Sequence, residues 1–322
     1  MPVPTVNAFV VSGIREFLEA LNSGGGTPIE QLSPRDARQV LVDAQKSVQV
    51  NLSGIEKSDR TIDYGGEPLR LHVVRPAGAG SNRLPVFMFF HGGGWVLGDY
   101  PTHERLVRDL VVEAGAMAVF PDYTPSPEAH YPTAIHQAYA ATRWVSEHGG
   151  EIGADGTRLA VVGNSVGGNM AAVVSLMAKD QGRPGIRFQA LLWPVTDASF
   201  DTASYKELAE GHFLTRNMMI WFWDNYTTDP AQRAERYASP LRAPAEALRG
   251  LPPALVQTAH SDVLRDEGEA YARRLDEAGV EVVSVRYNGL IHDWGLLNPI
   301  ATVPEVRTAI TQVASELRKR LG

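Results

Sequence analysis

Apolar residues fall into two rhythms along this chain. Residues 85–90, 116–120, 159–162, 190–194 and 254–259 are short, nearly continuous apolar runs, the pattern of strands covered on both faces. Residues 61–64 and 69–74 alternate instead, with Gly65-Gly66 between them, and predict an antiparallel hairpin. A further strand is expected over residues 280–287. Helical spacing fills the intervals and predicts helices around residues 106–114, 134–148 and 266–278, a long apolar helix after residue 165, and a closing helix over residues 303–321. Strand and helix alternate as in an α/β fold with a mostly parallel, doubly wound central sheet flanked by helices.

Two stretches break this alternation. Val6, Phe9, Val10, Ile14, Phe17, Leu18 and Leu21 recur at helical spacing until Ser23-Gly24-Gly25-Gly26 ends the pattern. A second helix is signalled by Ser33 as N-cap and Pro34 at its first position, running through Ala37, Val40, Leu41 and Ala44. Later, residues 197–249 show one strong helical signal, with Leu214 as staple, Thr215 as N-cap, and then Met218-Met219-Ile220-Trp221-Phe222-Trp223. Placed after a core strand, such an insertion sits over the strand ends where ligands bind. The expected organisation is a helical cap from residues 1–55 and 198–249 on a core of residues 56–197 and 250–322.

Composition narrows the chemistry. Of 322 residues none is cysteine, which excludes disulfides, thiolate metal sites and a cysteine nucleophile. A net charge of −7 with no long basic run argues against a nucleic-acid partner. No apolar run approaches the roughly 20 residues of a membrane span. The first residues lack a basic start and a continuous apolar centre, unlike a signal peptide, so the cytoplasm is the favoured compartment. No spacing suggests a metal, and no cofactor is expected. A homodimer is left open.

The chemistry concentrates at strand ends. Gly163-Asn164-Ser165-Val166-Gly167-Gly168 follows one apolar run and opens a helix, the context in which G-x-S-x-G presents a serine nucleophile on a sharp turn. Another run ends in His91-Gly92-Gly93-Gly94-Trp95, where main-chain N–H groups can approach an oxyanion with no Cβ in the way. An ordinary glycine-rich loop is the alternative, while no nucleotide-binding pattern can be read at either turn. A serine nucleophile needs an imidazole and a carboxylate, which in α/β hydrolases follow in the order acid, then histidine. Of the chain's nine histidines, only His292 follows a carboxylate placed at a strand end, Asp262. Asp266 and Glu267 read better as acids of a helix's first turn.

The chain resembles the hormone-sensitive-lipase-like family (family IV) of α/β-hydrolase carboxylesterases from about Leu32 to its C-terminus, through HGGGW, DYTPSPEAHYP, GNSVGG, EGHFLT, ASPLRA, DVLRDEG and GLIHDW. The resemblance implies a Ser165–Asp262–His292 triad and an oxyanion hole from Gly92, Gly93, Gly94 and Val166. Gly93, Gly94 and Val166 would give N–H groups, Gly92 would shape the loop, and His91 would orient it. The chain departs from the family at Asn164, usually acidic or threonine, at Val166, usually alanine, and at Thr124, Ala129 and Val263. Trp95, Asn164, Phe213, Leu214 and Trp221 are the expected substrate-pocket residues. The implied activity is hydrolysis of short- to medium-chain carboxylic esters, with a small ester as the partner. A catalytically silent ligand receptor, a lyase or an amidase on the same fold are the rivals.

Overall fold

The computed structural model describes Val6 and residues 9–322. Two helices come first, α1 (Ser12–Ser23) and α2 (Pro34–Lys46), then a hairpin of β1 (Ile55–Tyr64) and β2 (Glu67–Pro76). Alternation follows through β3 (Leu84–Phe90), α3 (Tyr100–Ala114), β4 (Met117–Pro121), α4 (Thr133–His148), β5 (Ala154–Asn164), α5 (Val166–Asp180) and β6 (Phe188–Leu192). The helices α6 (Ala203–Glu207), α7 (Arg216–Tyr226), α8 (Pro230–Ala234) and α9 (Ala245–Leu248) then intervene. The chain closes with β7 (Ala254–Ser261), α10 (Arg265–Glu277), β8 (Val282–Ile291) and α11 (Pro304–Leu321).

The strands form one sheet in the order β1-β2-β4-β3-β5-β6-β7-β8. β1–β2 and β2–β4 pair antiparallel, and the remaining pairs are parallel. Side chains alternate across it. Val86, Met88 and Phe90 of β3 join the core under α4, α5 and α7, whereas Phe87 and Phe89 join the core under α3 and α11. Because both faces are covered, β3, β4, the second half of β5 and the end of β6 read as nearly continuous apolar runs. The chain leaves β3 toward α3 on one face and β5 toward α5 on the other. Their adjacent carboxyl ends therefore open a crevice, the place where open α/β sheets bind ligands.

Two predicted helix starts move. α3 begins at Tyr100, six residues before the expected 106, because Asp99 and Thr102 form a reciprocal cap: each side chain accepts the other's main-chain N–H at 2.9 Å. α1 begins only at Ser12. Before it, the Val11 N–H donates to Gly289 O at 3.1 Å, so this segment bonds to the core rather than to a helical turn. Phe9, expected on the apolar stripe, is 72% exposed and lies edge-on to His260. Residues 1–5, 7 and 8 of the expected cap segment lie outside the described residues. Among the described residues no helix is long and apolar enough to cross a membrane.

Candidate active site

Ser165 stands between β5 and α5 at φ 56°, ψ −121°, a strained conformation for a residue with a side chain. The flanking glycines allow it by close approach. A Cβ at Gly163 would lie 2.1 Å from Gly167 O, and one at Gly167 would lie 1.9 Å from Phe90 O. Hydrogen bonds then hold the turn. The Ser165 N–H donates to Leu192 O at 2.9 Å, and Ser165 O accepts the N–H groups of Val195 and Asn169 at 3.1 Å. The end of β6 thus clamps the turn from the side.

Asp262 and His292 arrive on the loops after β7 and β8. One oxygen of Asp262, Oδ1, accepts the Leu264 N–H at 2.9 Å, which turns Oδ2 toward His292 Nδ1 at 2.7 Å. The other ring nitrogen, Nε2, stands 3.0 Å from Ser165 Oγ. All three side chains are buried. Burial alone would lower the His292 pKa, but the charges of Asp262 and Asp293 and the hydrogen bond to Asp262 outweigh it, and the net shift is upward. This is the arrangement in which an imidazole accepts a serine proton while a carboxylate fixes its tautomer.

The neighbouring acids have other partners. Asp266 accepts the Ser204 N–H at 2.8 Å and so ties α10 to α6. Glu267 accepts the N–H groups of Thr196 and Asp197 at 2.6 and 3.2 Å, with its carboxyl pushed well above the usual range by burial.

The glycine loop after β3 faces the serine turn. Gly92 shapes the loop rather than offering a free donor, because its N–H is held by Asn164 Oδ1 at 3.0 Å. Among the described residues the N–H groups of Gly93 and Gly94 donate to no protein acceptor, and that of Val166 is the first of α5, with no helical partner. His91 stacks on Tyr123, with ring centroids 4.1 Å apart, and its Nδ1 lies 2.8 Å from Gly92 O. Burial lowers its pKa to about 4, so it is a neutral brace. Arg38 of α2 reaches the same loop, donating to Val96 O at 2.7 Å and Ser126 O at 3.0 Å while pairing with Glu128.

Two expected pocket residues are placed as supports instead. Asn164 is fully buried, with Nδ2 directed to Asp293 Oδ1 at 3.3 Å, so it is a strut between loops. Trp95 is fully buried and stacked on Tyr226 at 3.9 Å, edge-on to Trp223, and fastens the glycine loop to α7. Phe213 is half-buried at φ 77° and meets Phe17 of α1 at 6.3 Å. Leu214 is buried, and Trp221 is half-buried against Phe222.

Sequence reasoning passed over two residues. Phe222 packs directly on Gly94, where a Cβ would meet its ring at 2.0 Å, but it is one aromatic among several in α7. Asp293, next to His292 and 3.9 Å from its Nε2, had only that adjacency as a signal. Among the described residues no group of three or more His, Cys, Asp or Glu side chains could hold a metal ion.

Comparisons with known proteins give the family and the class of activity. The α/β hydrolase fold family matches residues 87–296. The crystal structure of a thermostable esterase from Pseudomonas putida ECU1011 superposes with a TM-score of 0.98 at 67% identity, covering 99% of each chain. Carboxylic ester hydrolase LipN of Mycobacterium tuberculosis is 41% identical over 83% of this chain and 71% of its own. Carboxylesterase NlhH of the same organism is 37% identical over 82% of each. The chain belongs to the hormone-sensitive-lipase-like family of α/β hydrolases and is a carboxylic ester hydrolase.

Proposed function

We propose that the protein hydrolyses short- to medium-chain carboxylic esters through an acyl-enzyme on Ser165. Ser165 Oγ attacks the ester carbonyl carbon while its proton passes to His292 Nε2, and the carbonyl electron pair moves onto oxygen. The N–H groups of Gly93, Gly94 and Val166 receive that oxyanion, the position where preformed donors lower a barrier most. As the carbon–oxygen bond to the alcohol breaks, the imidazolium returns its proton to the leaving oxygen. Water then adds to the acyl carbon, giving a proton to Nε2, and Ser165 leaves with that proton restored. Asp262 keeps the Nδ1–H tautomer and stabilises the cation without itself taking a proton.

The observation that carries this reading is the unbroken chain from Ser165 Oγ to His292 Nε2 at 3.0 Å and from Nδ1 to Asp262 Oδ2 at 2.7 Å. Relatives named as carboxylesterases support the ester as the substrate class over an amide or a lyase substrate.

Residues 1–55 and 198–249 form the cap in this reading. The Phe17–Phe213 contact and the hydrogen bond from Asn22 Nδ2 to Gly211 O at 3.1 Å join its two parts, and Phe222 rests on Gly94. A roof packed this closely favours acyl chains of roughly two to eight carbons, since each added methylene contributes only about 0.8 kcal/mol of burial, less than a clash costs. A chain-length series of p-nitrophenyl esters tests this: kcat/KM should peak on short esters, and a peak at about twelve carbons or beyond contradicts the roof.

A further inference from the structure

Asp293 is not part of the triad, yet its surroundings are built. Its backbone takes φ 58°, a left-handed value that aspartate tolerates better than most residues, and its carbonyl accepts the N–H groups of Leu296 and Leu297 at 2.8 and 3.0 Å. This fixes the loop after β8. The side chain is turned inward, where Oδ1 accepts Trp193 Nε1–H at 2.9 Å and Asn164 Nδ2–H at 3.3 Å. Asn164, in turn, holds the Gly92 N–H at 3.0 Å. A continuous path therefore runs from the histidine loop, through the residue before the nucleophile, to the glycine loop. The same Oδ1 lies 3.9 Å from His292 Nε2, too far for a hydrogen bond and close enough for a charge to be felt.

We propose that Asp293 is a positioning residue with two effects: it locks the histidine loop to the oxyanion loop through Asn164, and it places a second carboxylate beside the imidazolium on the side opposite Asp262. This deepens the triad reading and rests on it. In the resting enzyme Nδ1 faces Asp262 and Nε2 faces serine. When Nε2 takes the serine proton, the new positive charge sits between two acids. The ionisable groups bearing on the pair are Asp262, from the loop after β7, and the two partners themselves. Asn164 and Trp193, from the ends of β5 and β6, face Asp293 as neutral donors. Burial raises the Asp293 pKa against the opposing pull of His292 and of both donors.

The two effects separate in a small set of variants. Asp293→Asn keeps an oxygen to accept from Trp193 and Asn164 but removes the charge. Asn164→Asp keeps an acceptor for Gly92 but sets two carboxylates against each other. The double variant Asn164→Asp with Asp293→Asn restores one donor facing one acceptor, with the charge moved to the β5 side.

kcat and the acid limb of kcat/KM should be measured for all three, with Ser165→Ala alongside. Asp293→Asn should lower kcat roughly tenfold and move the acid limb down by about one pH unit, because a histidine that loses a nearby anion gives up its proton more easily. A purely structural residue would lower the plateau and leave the limb in place. Asn164→Asp should be slower still, and the double variant should recover kcat roughly tenfold over it while its limb stays low. An unmoved limb in Asp293→Asn overturns the electrostatic part, and a double variant no faster than Asn164→Asp overturns the coupling. If Asn164→Asp does not fold, Asp293→Asn alone decides the proposal. Retained activity in Ser165→Ala would instead sink the triad reading beneath it.

Discussion

The turn at Ser165 and the helical segment above it are held by different forces. At the turn, main chain meets main chain: Gly163 and Gly167 leave about 2 Å for any added carbon, and hydrogen bonds to Leu192 at the end of β6 and from Val195 just beyond it fix the serine on both sides. In the segment around α7, side chain meets side chain: Trp95, Trp223, Tyr226, Met219 and Phe222 interlock as a continuous apolar mass, and the strained Phe213 leans on Phe17. The first kind of contact tolerates no substitution without displacement. The second tolerates repacking, since apolar cores accept changes that conserve volume. In the proposed function, reaction geometry is therefore invested in hydrogen bonds and glycines, and substrate preference in the adaptable aromatic roof.

The largest effects should come from the turn and its partners. Ser165→Ala and His292→Ala should each lower kcat by about 10⁴ to 10⁶ with melting behaviour preserved, because members of such a unit fail together. A variant retaining a tenth of the activity would contradict the assignment. Asp262→Asn should cost about 10⁴ by mis-setting the imidazole tautomer. Asp266→Asn, which removes a contact to α6, should be far milder, and steady-state kinetics of the two variants side by side decides which acid matters.

Next comes stability. Gly167→Ala should lose about 3 kcal/mol or fail to accumulate as soluble protein, since the added carbon meets the Phe90 carbonyl and neither backbone can yield. A chemical denaturation midpoint close to wild type would show that the turn has slack.

Activity should also depend on pH in a defined sense. The base must be neutral, and the net upward shift of His292 means that kcat/KM rises only as pH passes above about 6.5, the unperturbed histidine value. A limb centred below that value would mean that burial outweighs the two carboxylates.

The roof should give the smallest effect. Phe213→Ala should alter KM for short esters by about two- to tenfold, with kcat within a few-fold, and should broaden the chain-length profile. An unchanged profile would remove Phe213 from the substrate path.

The same contrast explains what could be read before the fold was known. Ser165, Asp262 and His292 were legible as candidates because each stands just past an expected strand, and strand ends in a parallel sheet share one edge. Thr215 and Ser33 were legible as caps because their side chains bond within three residues. Asn164 and Asp293 were not, because their partnership spans 129 positions and neither residue has a spacing that announces it. Phe222 was hidden among equally apolar neighbours in α7. The start of α3 was available in Asp99 and Thr102, a cap written with threonine in place of the usual glutamate or glutamine. The start of α1 was not, because residues 6–11 keep an apolar rhythm while the Val11 N–H bonds to Gly289 O of β8.

Covalent labelling shows whether Ser165 is the nucleophile. The protein should be treated with a fluorophosphonate, digested, and its peptides weighed. One adduct on Ser165 is the predicted result, formed more slowly in His292→Ala and absent in Ser165→Ala. An adduct on another residue, or equal labelling of Ser165→Ala, would rule out Ser165 as the nucleophile.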